Sequence, residues 1–326
     1  MKCYSVRTRI KEYLGTVLCA LYLIILIAAG SCTVFGESPD PILSYEVYPL
    51  VRNDISLHLD CVKTENADSS GNILLLHGSS YSSHEFDIDY QDYSLVRFLA
   101  REGYAVWRLD IAGYGRSGSV EDGFMPDTAY AAEDINAAAE EIVRISGQEK
   151  IDLLGWSWGT MTAGLFAGRH PEHIRKLILY APILSGLGEQ RLGEPFSRNT
   201  WEGAAEDFQK KNDGTFDEEI TDPVLIELFC SSCWHYDGDS SPRGWCRDAF
   251  VDEKTRLIDL EKITVPTLLI YGSHDPYMDR DALSGALEML PDGSELREIE
   301  GGSHIMMYEK PYYKEFRKRI TDFLNK

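Results

Sequence analysis

Residues 155–160 read GWSWGT, a serine with a glycine two positions away on either side. The apolar run KIDLLG (150–155) leads into it, and WGTMTAGLFAG (158–168) leaves it with helical spacing. A strand that hands over to a helix through Gly-x-Ser-x-Gly forces the serine into strained backbone geometry. The residues two before and two after must then be nearly free of side chain, and Gly155 and Gly159 meet that demand. Thr160 keeps the next turn small. The new helix aims unpaired N–H groups at the serine and favours negative charge there. Ser157 is therefore expected to be a nucleophile.

A serine hydroxyl needs a base, and the base needs an acid to orient it. Downstream, TLLIYG (267–272) is a strand candidate followed by Asp275 and Pro276, and EGGSH (300–304) follows the next strand candidate. Position and order assign Asp275 as the acid and His304 as the base, with flexible glycines letting the His304 loop fold back. His274 is the rival base, but sharing a turn with the acid points it elsewhere. Asp152, inside the serine's own strand, and Glu309, beyond the histidine, are rival acids outside that order. Upstream, LLLHGSS (74–80) ends a strand, so the backbone N–H groups of Ser79 and Trp158 are expected to share a developing oxyanion charge. His77 reads as a structural residue holding that loop. Ser80, Tyr81, His84 and Trp156 are the candidates for touching substrate, although the side chains of Trp156 and Trp158 also suit packing around the turn.

Around these motifs strands and helices alternate. SYEVYPL (44–50) and ISLHLDCV (55–62) are early strands, exposed at an edge by their polar alternation. DYSLVRFLAREG (92–103) has helical spacing, YAVWRLDIAG (104–113) is a strand, and Asp127 caps the helix DTAYAAEDINAAAEEIVRI (127–145). RKLILYAPI (175–183) is a further strand, and a helix is expected near 279–290. A closing helix starts at Pro311 and presents Tyr312, Phe316, Ile320 and Phe323 on one face. Strands apolar on both sides, separated by helices, specify an α/β protein whose parallel sheet is covered on both faces. The rhythm stops between 184 and 258, where WEGAAEDFQKKNDG and CWHYDGDSSPRGWC are polar and irregular yet rich in aromatics. That segment is expected to be a cap inserted between core parts 37–183 and 259–326.

GYGRSG (113–118) is a literal Gly-x-Gly-x-x-Gly after a strand. A dinucleotide site would need a helix to open there at once, and SVEDGFMPD follows instead, so no nucleotide cofactor is expected, nor any metal. The chain's 32 basic and 53 acidic residues give a formal charge of −21, which argues against nucleic acid or an anionic membrane surface as partner.

The first residues differ. Lys2, Arg7, Arg9 and Lys11 face only Glu12, and no charge follows from Tyr13 to Gly36. Residues 1–36 are thus expected to be an export signal or membrane anchor. AAGSC (28–32) resembles a bacterial lipoprotein box, which implies a lipid on Cys32. Outside that segment Cys61, Cys230, Cys233 and Cys246 are an even number, and for an oxidising compartment they are expected to form structural disulfides of unspecified pairing. A zinc site at CSSC (230–233) lacks a second Cys-x-x-Cys.

HGSS, DIAGYGRSG, GWSWGT, YGSHDP and GGSH stand in the order and spacing of the α/β-hydrolase superfamily, which the chain resembles from about residue 44 onward. The resemblance implies a mostly parallel eight-stranded sheet with helices on both faces and an inserted cap. It implies Ser157, Asp275 and His304 as the triad and Ser79 and Trp158 as oxyanion donors. Members with aspartate in the nucleophile position are dehalogenases and epoxide hydrolases, and Ser157 departs from them. Tryptophan after the nucleophile resembles proline iminopeptidases, whose H-G-G-P-G is replaced here by HGSSY. The expected activity is cleavage of a small carboxylic ester through an acyl-enzyme. The alternatives are an aminopeptidase that holds a substrate ammonium with Glu202, Glu206 and Asp207, and a binding protein on an inactive scaffold.

Overall fold

The computed structural model describes residues 41–326. Strands β1 (Leu43–Arg52) and β2 (Ile55–Thr64) form an antiparallel hairpin in register from Leu43↔Thr64 to Arg52↔Ile55. Its two-residue turn, Asn53 (φ 49°) and Asp54 (φ 62°), uses the positive φ angles that match strand twist and that Asn and Asp tolerate. There follow β3 (Gly71–Leu76), α1 (Leu95–Arg101), β4 (Tyr104–Asp110), α2 (Thr128–Ser146), β5 (Ile151–Trp156), α3 (Trp158–Arg169) and β6 (Ile174–Tyr180). Between β6 and β9 lie a two-stranded sheet of β7 (Phe196–Arg198) and β8 (Ser240–Pro242) and the helices α4 (Trp201–Ala204), α5 (Pro223–Asp237) and α6 (Gly244–Ala249). The chain then completes the main sheet with β9 (Thr267–Gly272), α7 (Arg280–Met289), β10 (Glu295–Ile299) and α8 (Tyr313–Leu324).

The main sheet has eight strands in the order β1-β2-β4-β3-β5-β6-β9-β10. β2 is antiparallel to β1 and β4, and the other pairings are parallel. Every residue of β3, β4, β5 and β9 is buried. Successive side chains nevertheless go to opposite sides. Leu74 and Leu76 join one apolar cluster with α2, α3 and α7, and Ile73 and Leu75 join another with α1 and α8. Helices on both faces are what such unbroken apolar strands require.

Local signals read from the sequence have visible causes. The Asp127 carboxylate accepts from the Tyr130 N–H at 2.8 Å and caps α2, which ends at Gly147 with φ 68°. The last helix starts at Tyr313 rather than Pro311, and Tyr313 rather than Tyr312 joins Phe316, Ile320 and Phe323 on its buried face.

The expected disulfides are corrected. Cys61, Cys230, Cys233 and Cys246 are all buried and free. Cys61 on β2 packs in one core cluster, while Cys230 and Cys233 on α5 pack in the other, across the sheet. Burial pushes the Cys61 and Cys230 thiols up to about 12, so they are held as neutral, unreactive groups. The export segment 1–36 with Cys32 lies outside the described residues. Among the described residues, no helix is long and apolar enough to cross a membrane.

Candidate active site

Ser157 caps α3 with φ 56° and ψ −121°, a conformation that costs a non-glycine residue about 1–3 kcal/mol. The turn is enforced by close packing. A Cβ on Gly155 would lie 2.1 Å from the Gly159 carbonyl oxygen, and one on Gly159 would lie 2.4 Å from that of Leu76. The Ser157 N–H donates to the Tyr180 carbonyl at 3.1 Å. Thr160 Oγ1 donates to the Ser157 carbonyl at 2.6 Å and accepts from the Ile183 N–H at 3.1 Å, stitching the elbow to the segment after β6.

Asp275 follows β9. Its Oδ1 accepts from the Tyr277 N–H at 2.9 Å and its Oδ2 from His304 Nδ1 at 2.8 Å. That bond assigns the ring's proton to Nδ1 and leaves Nε2 with the lone pair. His304 is itself fixed from below, because its carbonyl accepts from Trp156 Nε1 at 3.0 Å and from the Tyr180 hydroxyl at 2.8 Å. Burial opposes charge on His304, but the Asp275 carboxylate, then Asp207, and the Asp275 hydrogen bond together raise its pKa above the ordinary histidine value. The rivals point elsewhere. His274 meets Gln209 Oε1 at 3.4 Å, Asp152 pairs with Arg175, and Glu309 bonds Ser303.

Ser157, His304, Ser79 and Trp158 line one cavity of about 360 Å³. The loop bearing Ser79 is held by buried His77, whose Nδ1 donates to the Gly78 carbonyl at 2.8 Å while Nε2 accepts from the Ile111 N–H at 3.1 Å. Burial lowers the His77 pKa, in keeping with a neutral ring that both donates and accepts. The Gly78 N–H donates to buried Glu85 at 2.7 Å. The Trp158 side chain donates to Thr128 Oγ1 at 3.1 Å and packs around the elbow.

The four expected substrate contacts, Ser80, Tyr81, His84 and Trp156, are not among the residues that line this cavity. Trp156 is buried beneath His304. Beyond Ser79 the chain is tied to the end of β4 and to α5, where Ser83 N–H donates to Asp110 Oδ1 at 3.0 Å and Ser82 N–H to Asp237 Oδ2 at 3.1 Å. This carries Tyr81 to a separate groove with Trp201 and Trp234, and His84 against Ser82 and Tyr236. The GYGRSG loop serves the same join, since the Gly115 N–H donates to Asp237 Oδ1 at 2.9 Å.

In their place the cavity has an apolar wall of Met161, Ile183, Leu187, Trp245 and Phe250, facing Glu206 and Asp207. Burial raises the Asp207 carboxyl above the usual carboxylate range, against the pull of His304. Glu202 is exposed on α4 and does not reach the cavity. Most of this wall comes from the segment after β6, where the sequence has no periodicity from which to infer facing. The arrangement can activate a hydroxyl, hold an apolar group beside it and face a polar or cationic one.

Epoxide hydrolase 1 of Caenorhabditis elegans is 25% identical over 220 residues, covering 60% of this chain and 53% of that protein, so the chain spans about half its length. Monoacylglycerol lipase abhd6-B of Xenopus laevis is 26% identical over 297 residues, covering 78% of this chain and 75% of that protein. A solved α/β-hydrolase fold protein from Chitinophaga pinensis is similar with a TM-score of 0.62 at 16% identity, covering 86% of this chain and 98% of that one, a likeness of fold alone. The family described as serine aminopeptidase, S33, matches residues 67–311, most of the strands, the elbow and both loops that carry Asp275 and His304. On that match the chain belongs to this family, and it has the α/β-hydrolase fold.

Proposed function

We propose that the protein is an exported serine hydrolase that cleaves a small carboxylic ester through an acyl-enzyme on Ser157. The observation that carries this is the 2.8 Å bond from His304 Nδ1 to Asp275, with His304 sharing a cavity with a serine on a strained elbow. His304 Nε2 takes the Ser157 proton as Oγ attacks the substrate carbonyl carbon. The oxyanion that forms accepts hydrogen bonds from the Ser79 and Trp158 N–H groups. His304 then protonates the departing alkoxide, and water enters to release the acid by the same steps. Asp275 holds the tautomer and stabilises the imidazolium. The apolar wall suits the acyl group. Ser157 offers a hydroxyl where an aspartate would be needed to open an epoxide, which separates this reading from that of the nematode relative's name.

A second reading has its own observation. Glu206 and Asp207 line the cavity, where they could hold the ammonium of an aminoacyl substrate, and the family's description names an aminopeptidase. p-Nitrophenyl esters of graded chain length, run beside aminoacyl arylamides, separate the two. We expect the esters to be turned over faster, with a preference for short to medium acyl groups. Faster hydrolysis of free-amino arylamides, abolished by N-acetylation, would transfer the assignment to the aminopeptidase. If a fluorophosphonate probe left Ser157 unlabelled, a binding role would replace both.

Export is supported by the basic residues ahead of the uncharged run at 13–36. Fractionation of cells carrying the whole chain should place it outside the cytoplasm, and a cytoplasmic location would refute this part.

A further inference from the structure

The cap segment 207–220 is tied to the loop that carries His304, and Gln209 is the centre of the tie. Its Nε2 donates to the Gly301 carbonyl and to Glu309 Oε1, both at 2.9 Å. Glu309 has no exposed surface. Its Oε2 accepts from the Ser303 N–H at 3.0 Å and its Oε1 from the Ser303 hydroxyl at 2.7 Å. Gly301, Ser303 and Glu309 therefore bracket His304 along the chain on both sides. On its other end Gln209 Oε1 faces His274 Nδ1 at 3.4 Å, next to Asp275. The neighbourhood is reinforced by the Asp207 carbonyl, 3.3 Å from the Ser303 hydroxyl, and by the Lys310 N–H, which donates to the Ile220 carbonyl at 2.7 Å. Asp207, two residues before Gln209, lines the cavity.

We propose that Gln209 is a positioning residue through which the seating of the cap over a substrate sets the placement of His304 relative to Ser157 and Asp275. This rests on the triad reading given above. A base must stand within a few tenths of an ångström of its productive place, and small misplacements from outside the reacting atoms cost up to about 100-fold in rate. Core groups hold the His304 carbonyl, but the residues just before it are held by Glu309, and Glu309 is shared with the cap. A substrate that presses on Glu206 or Asp207 thus acts on the same short segment that anchors the base.

The test compares the parent with Gln209→Met, which keeps length and volume but removes the hydrogen bonds, and with Gln209→Ala. Fluorophosphonate labelling of Ser157, kcat, KM and the kcat/KM pH profile on one p-nitrophenyl ester, and thermal melting are measured for each. We expect both variants to lose about tenfold in kcat and labelling rate, with KM changed less than about twofold. The acid limb should move to lower pH, because a slack loop weakens the hold of Asp275 on the His304 proton. Melting of Gln209→Met should stay near the parent, which separates positioning from a merely structural role. Parental kcat and an unmoved acid limb in Gln209→Met would overturn the inference, as would a change confined to KM. A parent that is not labelled at Ser157 would sink the triad reading itself, whereas a labelled parent with unaffected variants would sink only the role of Gln209.

Discussion

Ser157→Ala is expected to lower kcat on a p-nitrophenyl ester by about 10⁵-fold or more while leaving the fold intact. The loss is large because the substitution removes the attacking Oγ itself, and alanine puts no nucleophile in its place. The backbone strain at φ 56° is the same for alanine as for serine, and the close contacts that enforce it belong to Gly155 and Gly159. The melting temperature should therefore remain within a few degrees of the parent, a shift corresponding to less than about 1 kcal/mol. Some acceleration over water should survive, supplied by the oxyanion donors and by binding. Hydrolysis by the purified variant at the parental rate would show that the acyl-enzyme is not formed at this residue.

Asp275→Asn should be the next most damaging change, lowering kcat by about 10⁴-fold. The carboxylate accepts the Nδ1 proton of His304 at 2.8 Å and has a second oxygen bound to the Tyr277 N–H. An amide that keeps its oxygen on Tyr277 presents an N–H to Nδ1, which drives the ring proton to Nε2 and blocks the base. The sign of the pH effect follows from the same contact. In the parent, burial opposes charge on His304, but Asp275 together with Asp207 outweighs it and raises the His304 pKa, so activity, which needs the neutral ring, falls on the acid side through a value above that of an ordinary histidine. Without the carboxylate, burial dominates and the acid limb of kcat/KM shifts down. The variant's deficit should thus be smaller at acid pH than at neutral pH. An acid limb that stays in place would mean that another group, such as Asp207, sets the His304 charge.

Both predictions start from residues that the sequence itself singled out. The elbow is legible because it combines a strand, a helix and glycines within a few residues. The clash that would exclude a side chain at Gly155 arises four residues away, at Gly159. Asp275 and His304 are legible because each lies in the loop after a strand, Asp275 after the buried β9 and His304 after the polar edge strand β10, and parallel strands bring their carboxyl ends to one edge of the sheet. The Asp127 cap is local in the same way. Other features are not local. Gly159 is needed because β3 passes beside it, and nothing in GWSWGT reveals Leu76. Tyr81 and His84 adjoin Ser79 in sequence, yet Asp110 and Asp237 tie that stretch to the end of β4 and to α5, and neither residue lines the cavity.

By itself, then, the sequence determined the sheet and its covering helices, the elbow, and the placing of Ser157, Asp275 and His304 in successive loops after strands, because these depend on periodicity, steric demand and turn chemistry within a few residues. Tertiary structure decided that the four cysteines stay free, with Cys61 packed in one core cluster and Cys230 and Cys233 in the other, and that Glu206 and Asp207, but not Glu202, line the cavity. It also decided that Gln209 reaches Gly301 and Glu309, some 90–100 residues away along the chain. The physical reason is that these contacts depend on the path of an irregular segment packed over the carboxyl edge of the sheet, and side-chain facing there is set by long-range packing that no repeat in the sequence encodes.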